Sequence, residues 1–218
     1  MRQYEDSWQH KGLRKKLIDQ LREKGITDEA VLEAMNNIPR HYFLDSAFDK
    51  IAYEDRAFPI AEGQTISQPY TVAYQTQLLR VKKSDKVLEI GTGSVYQATV
   101  LAELGARVFT IERQKKLYDL QKNYYFKSKY PNIRFFFGDG FEGLPAFAPF
   151  DRIIITAAAP VIPPKLLEQL KPGGLMVIPL DHGGLQRMLR LTKQEDGTAT
   201  EEAFDLFSFV PMLTGKNR

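Results

Sequence analysis

The chain has 218 residues, of which 43% are hydrophobic and 26% charged, and its formal net charge of +3 gives no argument for nucleic acid as a partner. The absence of cysteine excludes disulfides, thiolate metal sites and a cysteine nucleophile. The polar N-terminus and the lack of an apolar run of about 20 residues argue against a secretory signal and a membrane span, so we expect a cytoplasmic location.

The first third of the chain is predicted to be helical and then irregular. Apolar residues recur at helical spacing between positions 8 and 21, and Gly25 is a natural helix stop. Thr27 is the expected N-cap of a second helix. Residues 40–66 carry aromatics without a clear period, so loops and short turns are expected there. A helix over Pro69–Leu79 should follow, with proline in its first turn.

The rhythm changes at Lys86, where short β-branched runs begin to alternate with helical stretches. Strands are predicted at VLEI, RVFTI, IRFFF, RIIIT and LMVIP, which argues for a parallel sheet covered on both faces. Two later runs, QRMLRLTK and AFDLFSFVP, predict a terminal antiparallel hairpin. The predicted class is α/β, with a doubly wound, mostly parallel seven-stranded sheet. We expect one domain, 1–218, made of a helical extension (1–66) and a core (67–218).

The first predicted strand runs into a glycine turn, EIGTGSV at residues 89–95. In open α/β sheets, ligands bind beyond the carboxyl ends of the strands, at such a strand–turn–helix. Gly91 and Gly93 permit a tight turn and close approach of a ligand to the backbone. Glu112, at the end of the second strand, can accept both ribose hydroxyls of an adenosine. The alternative interpretations are that Gly91 and Gly93 serve only to form the turn, and that Glu112 is a solvated carboxylate at the end of a strand.

Two details distinguish a dinucleotide from S-adenosylmethionine as the ligand. The dinucleotide fingerprint requires a third glycine at position 96, where this chain has Tyr96. In addition, Gly138-Asp139-Gly140 follows the third strand, where the Asp139 side chain could bond an adenine amino group. Adenosine with a methionine tail therefore fits better than a dinucleotide.

Five segments carry a resemblance to a known family: GQTISQP at 63–69, VLEIGTGS at 87–94, GDG at 138–140, TAAAP at 156–160 and FVPM at 209–212. With them the chain resembles the protein-L-isoaspartate O-methyltransferases over nearly its whole length. The resemblance implies a Rossmann-like methyltransferase fold, S-adenosylmethionine as donor and S-adenosylhomocysteine as product. It also implies methyl transfer to the free α-carboxylate of isoaspartyl residues in damaged proteins, which initiates their repair.

The resemblance further implies roles for individual residues. Ser67 corresponds to the essential hydroxyl residue of the family, although its position before Gln-Pro alone would indicate a turn or helix cap. The implied donor-binding residues are Ile66, Glu89, Gly91, Thr92, Gly93, Glu112, Asp139 and Gly140. The implied substrate-binding residues are Thr65, Ser67, Ala158, Ala159, Phe209 and Val210.

Val95 is the clear departure from the family, whose members usually carry glycine there. A positive φ at a β-branched residue would cost on the order of 1–3 kcal/mol. If Val95 has helical dihedrals instead, its side chain would crowd the methionine end of the donor. Because position 95 starts the predicted helix, we expect helical dihedrals and retained but weakened donor binding. The alternative function is an S-adenosylmethionine-binding protein with lost or altered methyltransferase activity.

Other functions are less well supported by the sequence. The basic and aromatic stretch at 115–130 could suggest RNA, but it is more typical of an amphipathic helix with a solvated face. Nucleic-acid amino-methyltransferases carry an Asn/Asp-Pro-Pro-aromatic motif after the fourth strand. This chain has TAAAP at that place, which argues against such an activity. The three histidines, His10, His41 and His182, are far apart in sequence, so no metal site is expected. We expect a monomer that acts on isoaspartyl proteins and peptides.

Overall fold

The computed structural model describes residues 4–121 and 124–217. Its first helices are α1 (Trp8–Glu23) and α2 (Glu29–Asn36). The predicted cap of α2 is wrong by one residue, because Asp28 accepts the backbone N–H groups of the first turn. Thr27 instead donates its own backbone N–H to the side chain of Gln77.

The segment between α2 and the sheet is irregular, as predicted. It holds three 3-10 turns and a two-stranded ribbon of β1 (Phe58–Pro59) and β2 (Thr65–Ile66). Helix α3 spans Pro69–Leu79, the residues predicted for it, with proline at its first position. This segment brings GQTIS next to the sheet.

A seven-stranded sheet forms the framework, in the order β5-β4-β3-β6-β7-β8-β9. Strands β3 to β7 are parallel, whereas β8 and β9 are antiparallel additions. The predicted class is therefore confirmed. The strands are β3 (Lys86–Ile90), β4 (Arg107–Glu112), β5 (Ile133–Phe137), β6 (Phe150–Ile155), β7 (Leu170–His182), β8 (Leu185–Lys193) and β9 (Ala199–Phe207).

Three helices connect the parallel strands: α4 (Tyr96–Glu103), α5 (Lys115–Gln121) and α6 (Pro164–Gln169). The amphipathic helix predicted within 115–130 is shorter than expected: residues 124–130 are not helical, and 122–123 lie outside the described residues. Gly173 and Gly174 lie within β7, where the β6–β7 pairing shifts register.

The helices of the predicted extension share one apolar cluster with α3 and α4. Buried side chains of α1 and α2, such as Leu21 and Leu32, belong to the same cluster as Val72, Tyr96 and Val100. In the sheet, β3 lies between β4 and β6. The chain therefore continues from β3 to β4 on one side of β3, and later forms β6 on its other side. The carboxyl end of β3 is therefore the topological switch point of the sheet. None of the described helices is long and apolar enough to cross a membrane.

Candidate active site

A cavity of about 310 Å³ opens at this switch point. Its size is typical of small-molecule sites, and its position is where doubly wound sheets bind their ligands. Among the residues that line it are Thr65, Ile66, Ser67, Gly91, Thr92, Gly93, Ser94, Tyr96, Gln97, Glu112, Gln114, Gly140, Thr156, Ala157, Val210, Met212 and Leu213.

The glycine turn forms one wall of the cavity. Gly91 and Gly93 both have positive φ, +98° and +50°. A Cβ at Gly91 would lie 2.6 Å from the Thr156 hydroxyl oxygen, which is itself within hydrogen-bond distance of the Ile90 and Gly91 carbonyls. The end of β6 thus packs directly on the turn, and only glycine fits at position 91.

Val95 has a left-handed conformation, with φ 73° and ψ −4°, so the expected helical dihedrals are wrong. It is the N-cap of α4, and the strand-to-helix turn requires this conformation immediately before the helix. The expected crowding is not observed either: the side chain is 2% exposed and belongs to a core cluster. It lines a separate hollow with Leu117 and Phe126, and Gly93 and Ser94 form the wall between that hollow and the cavity.

The strain at Val95 predicts an unusual response to mutation. Val95→Gly loses a buried side chain but relieves about 1–3 kcal/mol of backbone strain, so the free energy of unfolding should change by less than about 1 kcal/mol. Val108→Gly, at an equally buried position in β4, should lower it by about 3 kcal/mol. Urea unfolding of both variants checks this, and equal losses would show that Val95 is unstrained.

Glu112 ends β4, as predicted, and is 4% exposed at the edge of the cavity. One carboxylate oxygen accepts the backbone N–H of Gly93 at 3.0 Å and the other that of Gln114 at 2.8 Å. Burial raises the pKa of Glu112, and these backbone donors oppose the rise. Since each carboxylate oxygen has two acceptor positions, one position on each oxygen remains for a ligand hydroxyl.

Glu89 lies beneath the turn, fully buried, and it is not among the described residues that line the cavity. Neither of its carboxyl oxygens has a hydrogen-bond partner within the described part of the chain. Burial raises the pKa of Glu89 to about 8, and the neighbouring Thr110 hydroxyl, already bonded to Thr92, offsets this only in part. Glu89 is therefore largely protonated at neutral pH.

A protonated Glu89 makes stability depend on pH. The folded state keeps this proton up to about pH 8, whereas the unfolded chain releases it near its ordinary pKa of 4.5. Unfolding between these values releases a proton, so rising pH favours unfolding. From pH 5 to pH 8, we expect the native protein to lose about 2 kcal/mol or more relative to Glu89→Gln. Parallel stability curves from denaturant titrations at each pH would contradict this.

The predicted Gly138–Gly140 segment lies at the end of β5. A Cβ at Gly140 would lie 2.4 Å from Ile90 Cγ2, so this residue packs closely against β3. Asp139 is not among the described residues that line the cavity, and its two oxygens accept the backbone N–H groups of Phe141 and Gly215. Gly140 reaches the cavity, and Asp139 holds the last part of the described chain beside it.

Residues 211–217 form a wall of the site that was not predicted from the sequence. Met212 donates its backbone N–H to Ala158, and Asn217 exchanges backbone hydrogen bonds with Arg113 and Lys115. Met212 and Leu213 line the cavity. The segment has no helical or strand periodicity, and only the FVPM match pointed toward it.

Ser67 lies where the cavity meets a second, more polar hollow of about 480 Å³, which we call the groove. Thr65, Ser67, Thr156 and Val210 line both spaces. The other groove residues are Ala57, Gln68, Tyr70, Thr71, Leu185, Leu206, Phe207, Ser208 and Phe209. A small reacting group at Ser67 could therefore be reached from the cavity and from the groove.

Arg40, another residue that sequence reasoning did not assign, fixes the backbone at Ser67. Its guanidinium is fully buried and donates to the carbonyls of Ser67, at 2.8 Å, and Ala52, at 3.1 Å. It also lies over the ring of Tyr96, 4.9 Å from the centroid. Arg40 thus supports the Ser67 backbone from inside the protein.

Comparisons with known proteins agree with this geometry. Residues 12–217 match the family model described as Protein-L-isoaspartate(D-aspartate) O-methyltransferase (PCMT). The chain belongs to this family. It is 57% identical over 213 residues to the protein-L-isoaspartate O-methyltransferase of Cytophaga hutchinsonii, covering 98% of this chain and 96% of the relative. With that of Flavobacterium johnsoniae, identity is 53% over 212 residues, covering 97% and 99%.

Solved structures show the same methyltransferase fold. A protein-L-isoaspartate O-methyltransferase aligns with a TM-score of 0.82 at 28% identity, over 91% of this chain and 65% of that chain. A Plasmodium falciparum structure of this type, in complex with S-adenosyl-L-homocysteine, aligns with a TM-score of 0.80 at 24% identity, over 92% and 98%. The second likeness concerns the fold alone.

The cavity fits S-adenosylmethionine, the donor that this family uses. Glu112 retains acceptor positions for two ribose hydroxyls, and Gly91 and Gly140 leave space that side chains could not share. Thr92 lies in the same turn with its hydroxyl bonded to Thr110, so it shapes the wall through its backbone. Ile66 lines the cavity beside Ser67.

The methyltransferase differs from expectation along the predicted peptide-binding segments. Strand β9 ends at Phe207, so residues 208–210 are not part of a strand. The Phe209 backbone N–H bonds the Gln186 side chain, and the Val210 carbonyl accepts from Ala158. Ala158 and Ala159 are buried and have their backbones paired, while Thr156 and Ala157 line the cavity in their place.

Two of the histidines that are far apart in sequence are neighbours in the methyltransferase. The rings of His10 and His41 stack 3.8 Å apart, and their nitrogens lie within 4.8 Å of an Asp6 carboxylate oxygen. Arg14 bonds both oxygens of Asp6 at 2.9 Å, so this carboxylate already has a cationic partner. That the protein holds no metal stays a prediction.

Proposed function

We propose that this chain transfers the methyl group of S-adenosylmethionine to the free α-carboxylate of L-isoaspartyl residues, with Ser67 as the catalytic residue. The observation that carries the proposal is the position of Ser67 at the junction of two spaces. One space is walled by the glycine turn and Glu112, and the other is an open groove. A methyl group and its acceptor must meet at such a junction.

The donor half of the site is proposed to work mainly through fixed backbone. Glu112 holds the ribose hydroxyls, and the Gly91–Gly93 turn accommodates the methionine tail. Gly140 allows the adenine to approach, and Asp139 keeps the neighbouring segment in place. Glu89 supports the turn from below. When bound, the donor supplies an electrophilic methyl group on a sulfonium sulfur.

The acceptor half needs positioning more than proton transfer. An α-carboxylate is ionised at pH 7, so no strong general base is required. The Ser67 hydroxyl can donate to one carboxylate oxygen and leave the other free to attack the methyl carbon. A neutral hydroxyl suits this task because a cationic side chain would reduce the nucleophilicity of the carboxylate. Arg40 donates to the Ser67 carbonyl and so holds the backbone from which the hydroxyl extends.

The peptide is proposed to lie in the groove, along Thr65, Phe209 and Val210. Recognition of a backbone defect in varied sequences favours contacts to main-chain atoms. Ala158 and Ala159 support this wall from behind, since Ala158 bonds the Val210 carbonyl. We further propose a cytoplasmic monomer in which residues 1–66 and 67–218 act as one unit without a nucleic-acid partner.

The test is transfer of labelled methyl from S-adenosylmethionine to a peptide with one isoaspartate, compared with its normal aspartyl twin. Label on the isoaspartyl peptide alone is the expected result. Binding of S-adenosylhomocysteine without transfer to any isoaspartyl peptide would instead support the donor-binding protein without chemistry. The position of the Val95 side chain outside the cavity argues against that alternative.

A further inference from the structure

Asp55, in the irregular segment before the sheet, has a side chain that is only 8% exposed. Its carboxylate oxygen Oδ1 accepts the backbone N–H of Tyr70 at 2.8 Å. The other oxygen, Oδ2, accepts from Lys24 Nζ at 2.5 Å and from Gln68 Nε2 at 3.2 Å. The Gln68 amide also donates to the Asp55 carbonyl at 3.1 Å. Asp55 is thus bonded to two residues that closely follow Ser67 in the chain.

The start of α3 explains why an acceptor from another segment is needed there. The N-cap of α3 is Gln68, whose side chain makes no capping hydrogen bond, and Pro69 has no backbone N–H. Tyr70 therefore carries the first backbone N–H of the helix, a group that has no acceptor within the helix itself. The Asp55 carboxylate takes the place of a capping side chain, and its negative charge suits a helix N-terminus.

The same irregular segment also holds the chain before Ser67 and at Ser67. Ile66 pairs with β1, and Arg40 joins the Ser67 carbonyl to the Ala52 carbonyl. Asp55 supplies the third attachment, on the far side of Ser67. The backbone that carries the hydroxyl is therefore held at three successive points.

We propose that Asp55 is a positioning residue for methyl transfer, which holds the Ser67 hydroxyl at the junction of cavity and groove. This inference rests on the proposed function. Asp55 is not among the described residues that line either space, so it acts through Gln68 and Tyr70 and not on a reactant. The hydroxyl must donate to one carboxylate oxygen while the other attacks, and a displacement of about 1 Å in such a geometry costs about 100-fold in rate.

The experiment measures methyl transfer to an isoaspartyl peptide at saturating substrates. Asp55→Ala should lower the turnover number by about tenfold or more, because the backbone after Ser67 loses its attachment. The KM for the peptide and the S-adenosylhomocysteine affinity should change by less than about threefold, since other residues form most of both walls. In a Ser67→Ala background, the same substitution should change the turnover number by less than about twofold, because the hydroxyl it positions is gone.

Two further substitutions of Asp55 separate its hydrogen bonds from its charge. Asp55→Asn should recover the turnover number to within about threefold of native. Its oxygen can still accept the Tyr70 N–H, and its NH₂ can bond the Gln68 amide oxygen once that amide has turned over. Asp55→Glu keeps the charge beside Lys24 but shifts both oxygens by one methylene, so it should lower the turnover number by about threefold or more. It decides the question if Asp55→Ala does not fold.

Asp151→Ala is the matched control. Asp151 likewise accepts a backbone N–H, from Lys86, and pairs with a lysine, Lys171. It lies near the start of β6, at the end of the sheet opposite the cavity. Urea unfolding should show a loss of stability in both alanine variants, but the turnover number of Asp151→Ala should stay within about twofold of native.

Three results would overturn the inference. An equal fall in turnover number with and without the Ser67 hydroxyl would show that Asp55 acts independently of it. A turnover number in Asp55→Ala as high as in Asp151→Ala would show that the attachment is not needed. A loss confined to the KM for the peptide would assign Asp55 to peptide binding. By contrast, native turnover in Ser67→Ala, or no transfer by the native protein, would overturn the proposed function itself.

Discussion

Ser67→Ala is expected to lower the rate of methyl transfer at saturating substrates by about 100-fold or more, with S-adenosylhomocysteine affinity within about twofold of native. The substitution removes one oxygen at the junction of cavity and groove. It leaves the backbone in place, because Arg40 grips the Ser67 carbonyl and not the side chain. The loss should therefore appear in the turnover number measured with labelled donor, and calorimetry should show an intact donor site.

Ser208→Ala is the matched control for this prediction. Ser208 lines the groove but not the cavity, so its hydroxyl lies away from the junction. We expect a turnover number within about threefold of native for this variant, and any effect of this groove residue should appear in the KM for the peptide. If Ser67→Ala kept a rate as high as Ser208→Ala, positioning of the carboxylate would have to be assigned to another group.

Glu112→Ala is expected to weaken S-adenosylhomocysteine binding by about 100-fold or more. Two charge-assisted hydrogen bonds to the ribose are lost, each worth about 1.5–3 kcal/mol. The backbone N–H groups of Gly93 and Gln114 also lose their acceptors, which loosens the glycine turn. Calorimetric titration of S-adenosylhomocysteine measures the effect directly.

Glu112→Gln separates the ribose contacts from the support of the turn. It keeps the shape of the side chain and one acceptor oxygen, but its NH₂ must face either Gly93 or Gln114, both of which donate. An intermediate loss of affinity is expected. Free adenine, which has no ribose, should bind the native protein and both variants about equally. Native affinity for S-adenosylhomocysteine in Glu112→Ala would remove Glu112 from the donor site.

Periodicity and turn chemistry were enough to predict most of the framework. The seven strands, the bounds of α3 and the place of Glu112 at the end of β4 follow from apolar runs, a first-turn proline and strand-end polarity. These features are local, so the sequence contains them directly. Family-specific segments, GQTIS above all, added the function that the fold alone leaves open.

The errors arose where distant parts of the chain determine the local structure. Val95 was predicted to be helical from its place beside α4, but the path from β3 into the helix imposes a positive φ on it. The pairing of His10 with His41 depends on how α1 packs, which no short window contains.

The wall formed by residues 211–217 also bears on how the protein is made. Domains generally fold as the chain emerges from the ribosome, beginning with their N-terminal part. Here the last wall of the cavity is encoded after every other element of the site, so a nascent chain holding β3 to β9 still has an open cavity. S-adenosylmethionine stabilises only states that bind it. A chain that lacks this wall should bind S-adenosylmethionine more weakly, so the ligand should stabilise mainly states in which residues 211–217 have docked.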